Sequence, residues 1–192
     1  MQNPFFADRI KSAAADASLP SLFQFAISSA TRSVGCGAEV LGGVVEADQA
    51  TLLGALNASW RVFGGSEEPL AVHISTLAGR LVPDWDGRYT FYNSVVNDAL
   101  TSMLHAVKVV VEPLPRQSAY RASETFFNMV DLVMHRHRAE YVADIASEPA
   151  IVAALEYLES DLCRLQSGKT QPDAGSFRDQ LMAEGRQVAM LG

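Results

Sequence analysis

The sequence predicts an all-α fold, a single-domain up-and-down bundle of six to seven helices. Three observations carry that reading. Apolar residues recur at helical spacing along most of the chain, strict apolar/polar alternation is nearly absent, and Gly and Pro cut the pattern into helix-length segments. At 192 residues, 48% of them hydrophobic and 19% charged, the chain suits one well-buried domain and is neither disordered nor fibrous.

The first core helix is predicted from Leu19 to Val34, with Ser18 as N-cap, Pro20 in its first turn and Gly35 as its stop. A loop from Gly35-Cys36-Gly37 to Gly42-Gly43 follows. A second helix begins near Asp48, whose carboxylate accepts from orphan backbone N–H groups. It turns Leu52, Leu53, Leu56, Trp60 and Phe63 inward and ends at Gly64-Gly65. Ser66 caps a third, with Glu67 and Glu68 where the helix dipole favours negative charge. That helix carries Val72, Ile74, Leu77 and Leu81 as far as Pro83, and Pro83-Asp84-Trp85-Asp86-Gly87 is the clearest turn.

From about Arg88 a fourth helix carries Tyr92, Val96, Ala99, Met103, Val107 and Val110 at steps of 4, 3, 4, 4 and 3. Glu112-Pro113-Leu114-Pro115 breaks it. The fifth and longest helix runs from Pro115 to Ala146, with Ala119, Ala122, Phe126, Met129, Val133, His137 and Tyr141 on one side. Ser147-Glu148-Pro149 opens the sixth, which carries Ile151, Leu155, Leu158, Leu162 and Leu165. Residues 1–165 form the bundle domain in this scheme, and residues 166–175 form a polar linker. Ser176-Phe177-Arg178-Asp179 has the form of an acidic capping box for a terminal helix, residues 176–192. Its stripe of Phe177, Leu181, Val188 and Leu191 must dock, either on its own bundle or on a neighbouring subunit.

Charge and cysteines bound the function. Fifteen basic against 22 acidic residues give −7, which disfavours nucleic acid and anionic membranes as partners. The N-terminus has no secretory pattern, and the most apolar window, Met103–Val111, is interrupted by His105 and Lys108. It falls far short of the ~20 apolar residues of a spanning helix. Cys36 and Cys163 form neither C-x-x-C nor a Cys/His cluster, which predicts a cytoplasmic protein with two free thiols. Cys163 sits in an apolar pattern and reads as a small core residue.

The chemical motifs fail one by one. His135-Arg136-His137-Arg138 falls in the predicted fifth helix, where residues two apart point about 200° from each other and cannot share a metal. An EF-hand loop starting at Asp84 would need an oxygen ligand at Arg88, Gly at Tyr89 and Glu at Val95, and has none of them. Asp98, Ser102 and His105 share a helical face, but a helix interior offers no oxyanion donors; with Ser94, Thr101 and Lys108 they read as the polar side of an amphipathic helix. No Glu precedes a His by three residues, as a di-iron bundle requires. The Gly-rich stretch at Gly35 matches no phosphate loop.

The order of several short motifs resembles the family called domain of unknown function 416, the YjaG-like bacterial proteins. Phe23-Gln24-Phe25-Ala26 comes first, then a helix ending in Trp60. Pro83-Asp84-Trp85-Asp86 leads to Tyr92 and Asp98-Ala99, then Ser123-Glu124-Thr125 and Glu148-Pro149-Ala150. The likeness spans about residues 20 to 165; the Gly-rich stretch after Val34 and the tail after Gly168 depart from it. It implies an all-helical bundle in a bacterial cytoplasm and no catalytic residues, because the family has no assigned activity.

The functional expectation is therefore a non-enzymatic bundle that acts by binding itself, as a homo-oligomer, or a protein partner. No catalytic residue, cofactor or metal site is expected, and no nucleic acid or membrane. The competing expectation is a ligand- or metal-binding sensor or enzyme with its pocket near Trp85, Tyr92 and Asp98, on a surface formed by Asp84, Trp85, Asp86, Tyr92 and Asp98.

Overall fold

A computed structural model describes residues 4–42, 46–82, 90–136, 147–168 and 173–192. Among them are eight helices and no strand: α1 (Pro4–Ala15), α2 (Leu19–Val40), α3 (Glu46–Phe63), α4 (Ala71–Ala78), α5 (Phe91–Val111), α6 (Pro115–Met134), α7 (Pro149–Ser167) and α8 (Ala174–Leu191). The fold is all-α as the periodicity predicts, with more helices than the six to seven expected. The unforeseen helix is α1. Its sequence has no strong cap or stripe, and it is held by tertiary contacts. Ile10 and Ala14 are buried, and Arg116 of α6 donates to the Ala14 carbonyl (2.9 Å).

Helix α2 is the hub. It packs most extensively on α8, α5 and α6, and it is buried without a break from Ser21 to Gly37. A helix buried on all sides must satisfy its polar side chains internally. Ser29 and Ser33 donate to carbonyls four residues back (3.3 and 3.1 Å), as does Thr31 (2.6 Å), which also accepts from Trp60 Nε1 (3.1 Å).

Ser18 caps α2 as predicted, accepting from Ser21 N. Gly35 does not stop it: the helix runs on through Gly35, Cys36 and Gly37 to Val40. The reason is packing. A Cβ on Gly35 would stand 3.2 Å from the Met182 backbone of α8, and nearer still to its carbonyl oxygen. The glycine serves close approach here.

Other boundaries shift for local reasons. Ser66 caps nothing, since residues 66–70 are not helical; a residue before proline avoids the α region, and Glu68 precedes Pro69. Helix α4 is accordingly short and ends before Leu81. Helix α3 does end at Gly64-Gly65, with Gly65 at φ 98°. Helix α5 starts at Phe91 under a Thr90 cap, whose side chain accepts from Asn93 N (3.2 Å). The helix is long and apolar enough to cross a membrane, but 61% of its apolar 18-residue window is buried inside the protein, the profile of a core helix.

Helix α6 ends at Met134 rather than Ala146. His137 and Tyr141 of its predicted stripe lie outside the described residues, as does the turn at 83–89. Helix α7 opens at Pro149 and buries Ile151, Leu158, Leu162 and Leu165 as predicted. Cys163 points the other way and is exposed, against the core role expected of it. Asp173, not Ser176, caps α8, accepting from Gly175 N (3.0 Å) and Ser176 N (3.4 Å). Phe177, Leu181, Gly185 and Val188 are buried along α8, which docks on its own bundle against α2, α7 and α6.

Candidate functional site

The densest polar constellation among the described residues centres on Arg32, in the middle of α2 and 1% exposed. Its Nη1 and Nη2 donate to Asp161 of α7, the latter at 3.3 Å, and its Nε donates to Glu184 of α8 at 2.7 Å. Arg164 binds the same Asp161 (2.8 Å), and the Tyr157 ring lies 5.4 Å from the Arg32 guanidinium carbon. Burial opposes the charge of Arg32, but Asp161 and Glu184 outweigh it and hold the pKa above the ordinary arginine value. The cluster therefore ties α2, α7 and α8 together through charge-assisted hydrogen bonds. Beside it, Gln24 Nε2 has no hydrogen-bond partner among the described residues. It lines a cavity of about 10 Å³ with Ser21, Ser28, Asp161 and Arg164, room for a single water.

Sequence reasoning missed Arg32. One signal was present, an arginine standing alone in a segment otherwise made of small and apolar residues.

The residues singled out in the sequence do not assemble into one site. Asp84, Trp85 and Asp86 lie outside the described residues. Tyr92 is half-buried in the first turn of α5. Asp98, two turns further on, is half-buried beside the Cys36 thiol of α2. Desolvation pushes its carboxyl up to about 7. The same environment, burial first and the Asp98 charge second, pushes Cys36 up to about 12.

Ser94 and Ser102 are buried and so do not form the polar face expected of them. Ser102 Oγ donates to the Ala122 carbonyl on α6 (2.9 Å), a packing role that removes it from any nucleophile reading. His105 is half-buried, its pKa lowered by burial and then by Lys108 and Arg121.

The basic run behaves differently from its helical prediction. His135 caps the end of α6, its Nδ1 donating to the Asp131 carbonyl (2.8 Å). Arg136 leaves the helix, donates to the Val40 carbonyl (2.9 Å) and stacks on Phe91 at 4.7 Å. It joins the end of α2 to the start of α5. Among the described residues no group of three or more His, Cys, Asp or Glu is placed to hold a metal ion.

No family model and no curated protein matches the sequence. A crystal structure does match: a DUF416 family protein from Shewanella baltica OS155, with a TM-score of 0.70 over 93% of each chain at 16% identity. This chain has the DUF416 fold. The match covers nearly the whole of both chains, so the shared architecture extends beyond the motifs read from the sequence. In this DUF416-like fold the two segments that depart from the motif pattern, after Val34 and after Gly168, meet, because Gly35 packs on the backbone of α8. At this identity the likeness speaks for the fold, and the family's motifs add no assigned chemistry.

Proposed function

We propose that the chain is a DUF416 family member that acts in a bacterial cytoplasm by protein association, with a second copy of itself as the first partner, and without catalysis. The surface that carries this reading is α4. From Pro69 to Gly79 the chain has no Asp, Glu, Lys or Arg. Val72 is 58% exposed, Ala71, Ser75 and Ala78 are exposed, and Leu77 alone in the helix is buried. A chain of charge −7 repels its own copies elsewhere, so an uncharged helix face is where approach costs least.

Sedimentation velocity at micromolar concentration tests it. The native chain should sediment above its 20.7 kDa monomer mass and Val72→Glu should return it to monomer. A native chain that is monomeric at all concentrations removes self-association through this face.

A second reading rests on Asp98, a carboxyl that burial holds near neutrality and that would ionise on meeting a cation. A thermal-shift series with divalent metals tests it against Asp98→Asn. A stabilisation seen in the native chain and missing in the variant supports that reading, and no shift with any metal removes it.

A further inference from the structure

A cleft of about 340 Å³ opens between α3 and α8, lined by Asn57, Trp60 and Arg61 on one wall and Ala174, Gly175 and Arg178 on the other. That is the lower end of the size range of small-molecule sites. Its floor is fixed. The Trp60 indole is pinned by its hydrogen bond to Thr31 and wedged edge-on between Phe63 (5.6 Å) and Phe177 (5.9 Å).

The lining carries two guanidinium groups and no carboxylate, in a chain that is acidic overall. Arg178 reaches across from α8 to donate to Asn57 Oδ1 (3.0 Å), and its other nitrogens meet Asp179 (3.2 and 3.4 Å), whose side chain is 74% exposed. Arg61 pairs with Glu68 outside the cleft. Both pairs lie open to solvent, which screens even the bidentate Arg61–Glu68 contact, so an anion seated in the cleft competes with Glu68 and Asp179 for the two guanidinium groups. The first N–H groups of α8 are already taken by Asp173, and the attraction therefore rests on the two arginines.

We propose that this cleft binds a small organic anion, a carboxylate or phosphate on a flat apolar body. The oxyanion bridges Arg61 and Arg178, which present paired N–H donors matched to such groups, and the body lies against the edge of Trp60. The site is independent of the α4 surface.

Phenyl phosphate and benzoate are suitable probes, with benzyl alcohol as the uncharged control. In a Trp85→Phe background the fluorescence reports on Trp60; calorimetry on the native chain gives a second readout. A saturable response to at least one anion and none to benzyl alcohol supports the site. Arg61→Gln and Arg178→Gln should each weaken it about tenfold, the scale of a lost charged hydrogen bond, with unchanged circular dichroism. No saturable response to either anion overturns the proposal, as does equal affinity for benzyl alcohol or undiminished affinity in both variants.

Discussion

Gly185 of α8 lies against the backbone of Arg32 in α2, so close that a Cβ there would stand 2.9 Å from the Arg32 Cα and carbonyl carbon. One residue thus carries two constraints at once: its guanidinium is clamped between Asp161 and Glu184, and its backbone forms the contact that only glycine permits.

Gly185→Ala should therefore force α2 and α8 apart and cost about 1–3 kcal/mol in urea unfolding, as overpacking of a tight core does. Gly54→Ala is the matched control. Nothing lies within 4 Å of where its Cβ would go, so the change should be neutral or stabilising by about 0.5–1 kcal/mol, because alanine suits a helix better. Equal effects at the two positions would contradict the close-approach account.

Breaking the buried pair from one side should be severe. Arg32→Met leaves Asp161 and Glu184 without their central cation, and Asp161→Asn leaves Arg32 short of one of its two counter-charges. Each should lower stability by about 3–5 kcal/mol, and the double variant should lose less than the sum of the two. A strictly additive cycle would show that the pair is not coupled.

Asp98 sets a pH dependence opposite to the usual carboxylate case. Its folded value of about 7 lies above the ordinary value of 3.8, so the folded state holds its proton more tightly than the unfolded chain. Its contribution to stability is full below about pH 4, falls as pH rises from there to about 7, and is lost above that. Asp98→Asn should flatten this limb and be the more stable protein at pH 8, by about 1–3 kcal/mol. Thermal melts of both proteins from pH 4 to 8 measure it. Parallel curves would remove the desolvated carboxyl as the cause.

The two thiols should separate in a timed alkylation. Cys163 is exposed and should label in the native protein; Cys36 is buried with its pKa pushed up to about 12, so it should label only after denaturant is added. Mass spectrometry before and after unfolding distinguishes one adduct from two. Rapid double labelling of native protein would mean that α2 opens readily.

Periodicity made α3 and α7 legible because each has one wet side, and a stripe shows only against contrast. Helix α2 has no such contrast. Ser28-Ser29-Ala30-Thr31-Arg32-Ser33 has the composition of a surface segment, yet all six residues are buried, the hydroxyls of Ser29, Thr31 and Ser33 returned to carbonyls one turn back and the one charge met by partners far along the chain. The role of Gly35 is hidden in the sequence for a related reason. A glycine that ends a helix and one that admits a neighbouring backbone are identical in sequence, and only α8 tells them apart. The candidate site was less legible still. Asn57, Arg61 and Arg178 face one another only because the last helix returns to α3 across more than a hundred positions.

That return has a consequence for synthesis. The hub helix α2 finds its most extensive partner in the 18-residue α8, which leaves the ribosome more than a hundred residues after it. Until it emerges, Gly35 and the Arg32 guanidinium face water or a chaperone, and the nascent chain cannot close its core stepwise as a row of neighbouring hairpins could. Premature termination anywhere before Ala174 releases a product with its central helix uncovered. A truncation that removes α8 should thus be read by the cell as a folding lesion, a target for proteolysis, because it uncovers the hub helix while leaving the helices before it in place.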